Sequence, residues 1–194
     1  MRGWAAPADE AQDQEAGIAF GQWLPSRGDP RLVQACERLM DVAPARGRRL
    51  LAGPTGEANL YAVLPREAVL CLAETEADRL VQLAAVLSVG SRAVWPADAR
   101  LLFEQLPDAV KDRVLLAQDW SSDSVYFDAL LLHGAADRTR AVLEHLKSRP
   151  GPIIGLTALV PGDGAVPLER LVIERSLSIN TAAAGGNASL MTIG

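Results

Sequence analysis

The chain has 194 residues, 49% of them hydrophobic, which suits one domain with a sizeable core plus an extension. A net charge of −5 argues against nucleic acid and anionic membranes as partners, because neither would gain electrostatic free energy. No apolar run is long enough to span a bilayer, and the acidic start lacks a signal peptide's apolar centre, so a cytoplasmic setting is expected.

Residues 1–28 are rich in Ala, Asp, Glu and Gly with weak periodicity. They read as a flexible lead-in, in which a short helix around Ile18 to Leu24 is allowed. Trp4 and Trp23 stand out there as docking aromatics or incidental ones. Asp29-Pro30 is a helix start, with Asp as N-cap and Pro at the first helical position. Leu32, Cys36, Leu39 and Met40 share one face of that helix, which runs to about Val42. Pro44 ends it, and Arg46, Arg48 and Arg49 read as a solvated basic turn. The two cysteines, Cys36 and Cys71, lie in apolar segments and read as buried free thiols of a reducing compartment.

Two strand-like runs follow, Leu60 to Leu64 and Ala68 to Ala73. A helix is expected from Glu76 to Val89. It is apolar over most of its circumference and therefore covered on more than one side. Gly90 stops it. Arg92 to Trp95 is a short strand, making a β-α-β unit with a right-handed crossover. Further on, a helix from Asp98 to Leu106, strands at Val114 to Gln118 and Phe127 to His133, a helix from Ala136 to Lys147, and a strand from Pro152 to Leu159 are expected. Helix and strand alternate with short joints. That pattern predicts an α/β fold with a Rossmann-like parallel sheet and flanking helices over residues 29–167.

After Gly162-Asp163-Gly164 a strand and tail occupy residues 168–194. Leu177 and Ile179 alternate with Ser176, Ser178 and Asn180, so one face is apolar and the other can hydrogen-bond. From Thr181 through Gly185, Gly186, Asn187 and Ser189 the residues are small, and Leu190, Met191 and Ile193 return as apolar anchors. Such a segment allows close backbone approach to a second surface. It is expected to dock on a partner, or to pair with a second copy of the chain.

This tail resembles the C-terminal motif of the proline utilization A family. Those bacterial enzymes join a flavin-dependent proline dehydrogenase to an NAD-dependent L-glutamate γ-semialdehyde dehydrogenase. Residues from Gly53 to Pro96 are similar to the start of the dinucleotide domain in the aldehyde dehydrogenase superfamily. The resemblance implies a non-catalytic C-terminal domain that packs on the semialdehyde dehydrogenase module. It also implies a role in closing the cavity through which the intermediate passes. Ser178, Asn180, Thr181, Gly185, Gly186, Asn187, Ser189, Leu190, Met191 and Ile193 would then be docking residues. NAD and FAD would belong to the parent enzyme, with no cofactor on this chain.

The residues agree with that loss. The turn after the second strand reads Ala73-Glu74-Thr75-Glu76-Ala77, without the Trp and Asn of the superfamily. Trp95 stands where the family's ribose-binding lysine precedes a proline, and an indole cannot replace an ammonium there. Glu74 and Glu76 put acid where a pyrophosphate would sit. No GxGxxG occurs, and Ala135 and Ala136 supply no hydroxyl after Gly134. No catalytic or metal-binding set is recognised. Two alternatives stay open. One is a degenerate nucleotide domain with free backbone N–H groups at Gly134 or Glu74. The other is an unrelated enzyme using His133 and Asp128.

Overall fold

The computed structural model describes residues 10–42, 47–53 and 57–180. The chain divides into two compact units: residues 1–44 with 65–172, and residues 45–64 with 173–194.

The larger unit opens with helices α1 (Glu10–Trp23) and α2 (Pro30–Asp41). Asp29 caps α2 through its carboxylate, which accepts from the N–H groups of Arg31 and Leu32, with Pro30 starting the helix. Then come β3 (Ala68–Leu72), α3 (Glu76–Ser88) and β4 (Arg92–Pro96), with β1 and β2 belonging to the other unit. The expected helix after β4 opens as a 3-10 turn, Ala97–Ala99, and continues as α4 (Arg100–Gln105), and a further short helix, α5 (Asp108–Lys111), follows Pro107. The unit closes with β5 (Val114–Ala117), β6 (Ala129–His133), α6 (Ala136–Ser148) and β7 (Gly155–Leu159).

Its five strands are parallel, in the order β5-β4-β3-β6-β7. The central strands β3 and β6 are buried along their whole length. Alternation sends Val69, Cys71 and Leu131 into one core, with Phe20, Leu39 and Leu83. Leu70, Leu72, Leu130 and Leu132 enter a second core with Val142 of α6. Both faces are covered, as a parallel sheet requires.

Helix α1 departs from the sequence reading. It runs fourteen residues, and Ala16, Phe20 and Leu24 are sealed in the core. Asp13 on α1 forms a buried ion pair with Arg113, which also donates to the Gly90 carbonyl. Phe20 and Leu24 sit one turn apart on the buried side, too few large apolar groups to show a clear period beforehand.

The smaller unit is a three-stranded sheet in the order β1-β2-β8. Here β1 is Gly47–Leu51, β2 is Glu57–Pro65 and β8 is Val172–Asn180. β1 and β2 are antiparallel, with Leu50 opposite Leu60 and Arg49 opposite Tyr61. Arg48 and Arg49 therefore lie in a strand rather than a turn. Leu60 to Leu64 lie in this sheet and not in the parallel one. The long strand expected from Leu168 begins instead with a 3-10 turn, Leu168–Leu171.

Candidate functional site

In a doubly wound sheet, ligands bind beyond the carboxyl ends of the strands, where the chain direction of the connections reverses. That place lies between β3 and β6, because α3 packs on one face of the sheet and α6 on the other.

Beyond β3 come Ala73, Glu74 and Thr75. Thr75 caps α3 by accepting from the Asp78 N–H at 3.1 Å, and the Arg79 N–H bonds the Thr75 carbonyl. Of the first N–H groups of α3, that of Asp78 is thus taken by the cap. Glu76 receives Arg27 in an ion pair, and Arg27 also donates to Gln105 at 2.6 Å. Glu74 pairs at 2.8 Å with Arg138 from the first turn of α6, across the mouth of the crevice. Arg79 donates to the Ala73 carbonyl at 2.7 Å and pairs with Asp98 at 2.8 Å. Trp95 is fully buried in the core, so it offers nothing to a ligand.

Beyond β6 the Gly134 N–H bonds the Leu159 carbonyl at 3.1 Å, so it is not a free donor. A side chain at Gly134 would approach the Arg138 stem at 3.2 Å. His133 is buried and bonded at both ring nitrogens: Nδ1 to the Gln82 amide at 3.0 Å and Nε2 to the Asp163 carbonyl at 2.9 Å. Gln82 Nε2 also donates to the Leu72 carbonyl at 2.9 Å. With the Gln82 amide donating to Nδ1, the Nε2–H donates to the Asp163 carbonyl. Asp78 accepts from the Gly162 N–H at 2.8 Å.

At this edge Glu74 and Glu76 pair with arginines, and the turn at residues 160–164 bonds Asp78 and His133. The pairing of His133 with Asp128 fails. Asp128 lies before the start of β6 and binds the Glu67 and Ala68 N–H groups, while His133 ends that strand. Five residues of strand separate the two by roughly 16 Å. The cysteines are no nucleophiles, since burial pushes both thiols up to about 12. Among the described residues, no group of three or more His, Cys, Asp or Glu could hold a metal. No described helix is long and apolar enough to cross a membrane.

The expected docking residues lie elsewhere. Ser178 and Asn180 are at the exposed end of β8, where the Ser178 hydroxyl donates to the Asn59 side chain. Thr181, Gly185, Gly186, Asn187, Ser189, Leu190, Met191 and Ile193 fall outside the described residues. The register aligns the sheet's chemistry. Tyr61 bonds Glu174, and its phenol is raised above the ordinary value by desolvation and by that carboxylate. Asn59, Tyr61, Glu174 and Ser178 therefore share one face, and alternation puts Leu50, Leu60, Leu177 and Ile179 on the other. Arg48, Arg175 and the buried Ala62 share that face, and its exposed apolar groups are Leu50 (71%), Ile179 (48%) and Leu177 (38%).

The α/β fold resembles that of aldehyde dehydrogenase structures. Staphylococcus aureus betaine aldehyde dehydrogenase matches 81% of this chain with 39% of its own, at a TM-score of 0.57 and 11% identity. A second S. aureus aldehyde dehydrogenase, AldH, gives 0.56 over 79% of this chain and 42% of its own. No family model matches the sequence. Curated relatives do: the bifunctional protein PutA of Escherichia coli is 49% identical over 178 residues, 91% of this chain. PutA of Salmonella typhimurium is 51% identical over the same length, and that of Rhizobium meliloti 40% over 185 residues. The chain is a PutA-related domain. It spans 13% of the length of the E. coli protein.

Proposed function

We propose that this chain is a non-catalytic C-terminal domain of a bifunctional proline catabolic enzyme. In this reading it packs on the L-glutamate γ-semialdehyde dehydrogenase module and helps close the cavity that carries the intermediate. It holds no NAD or FAD of its own and has no activity alone. Two buried free cysteines support a reducing, cytoplasmic setting.

The observation that carries the proposal is the exposed apolar group Leu50, Leu177 and Ile179 on the small sheet. Covering the surface that each still exposes would contribute about 0.5–2 kcal/mol, which favours a protein partner over water. The tail continues directly from β8, so strand and tail would engage the same partner.

The test uses the full-length parent protein carrying Leu177→Asp and Ile179→Asp. Semialdehyde oxidation should fall at least tenfold, while proline oxidation stays within twofold. Equal loss of both activities, or of neither, would reject the docking role.

A further inference from the structure

The turn at residues 160–164 follows β7, yet two of its backbone groups bond other elements. The Gly162 N–H is taken by Asp78 in the first turn of α3, and the Asp163 carbonyl by His133 at the end of β6. The turn therefore reaches from the end of β7, over the end of β6, to the start of α3. That path covers the place where connections reverse. We infer that this turn is a built-in occupant of the crevice, held by Asp78 and His133, and that it keeps the crevice shut to diffusible ligands.

Three features support the assignment. The groups beneath the turn are polar and almost sealed: Gln82 is 0% exposed, His133 1% and Asp78 3%. Buried groups of this kind need partners, and the turn supplies a donor to Asp78 and an acceptor to His133. The turn is also shaped for its place. Gly162 has φ +84°, which other residues rarely adopt, and a side chain at Gly164 would meet Ala35 of α2 at 3.0 Å. Finally, the turn braces itself, with the Asp163 N–H on the Val160 carbonyl and the Asp163 carboxylate on the Ala165 N–H. Glu74 and Arg138 close the same crevice on its outer side.

Native-state hydrogen exchange on the full 194-residue chain tests this directly. The Gly162 amide should exchange slowly. Asp78→Ala should speed it about tenfold to a hundredfold, the loss expected for a bond to a charged acceptor. Amides of β6 should stay within twofold. Asp78→Asn, which keeps an acceptor oxygen, should restore most of the protection. Should Asp78→Ala unfold the chain, Gly162→Ala provides the same readout by straining the turn while leaving the crevice groups intact. With millimolar NAD as probe, crevice amides such as Gly134 should not shift. A Gly162 amide that exchanges like a free peptide would overturn the inference. So would indifference to both substitutions, or an NAD-induced shift at Gly134 while Gly162 stays protected.

Discussion

Cys71 sits in the middle of a strand with no exposed surface, and Cys36 lies under α3 with its thiol towards the Leu80 carbonyl. Burial raises both thiols from 9.0 to about 12, with Glu37 adding to the effect at Cys36 and Arg79 opposing it at Cys71. The folded state thus holds two protons that the unfolded chain releases above pH 9. Their stabilisation is complete below that pH and is lost as pH rises towards 12. Unfolding midpoints should therefore fall steeply between those limits, less so in Cys36→Ala and Cys71→Ala. Thiol labelling at pH 8 should wait for unfolding. Rapid labelling of the native chain would contradict the burial. Both cysteines were legible as inert from their apolar neighbours. The roles of Asp78 and Gln82 were not, because Asp78 finds its partner 84 residues away.

Among elements, α1 shows where periodicity gives too little warning. It packs with Phe20, the partly buried Trp23 and small residues, and its buried Asp13 breaks the apolar stripe. Tertiary contacts, not intrinsic pattern, set its place. Phe20→Ala should cost about 3–5 kcal/mol, the usual loss for a sealed aromatic. Urea unfolding would show it as a lower midpoint at unchanged slope. A loss under about 1 kcal/mol would mean that α1 contributes little to the core. By contrast β3, β6 and α3 were readable directly. Continuous apolar runs bounded by turn residues mark strands buried on both faces. β1 was missed because Arg48 and Arg49 hide an exposed strand behind the look of a basic turn.

At the scale of the whole molecule, the α/β class was plain from alternating helix and strand. The split into two units was not, because the small sheet draws its strands from distant parts of the chain. Absence of a phosphate loop was equally readable, and the structure adds ion pairs that occupy the same edge. Isothermal titration of the chain with millimolar NAD should show no binding heat. A micromolar dissociation constant would instead support the nucleotide-binding alternative.

The small sheet's interleaved origin has a consequence for the order of folding. β1 and β2 are neighbours in sequence and can form a hairpin early, as local contacts do. β8 must wait, because the whole of residues 66–171 intervenes. Closing so long a loop costs conformational entropy, about 0.6 kcal/mol for each doubling of its length. The larger unit meets that cost when it folds, and the Arg66 N–H to Leu171 carbonyl bond at 2.8 Å ties the two ends together. Strand β8 then joins an existing hairpin as an almost local event. The small sheet is therefore completed last, after the parallel sheet has formed, which limits the time during which Leu177 and Ile179 on an unpaired strand meet other unfolded chains.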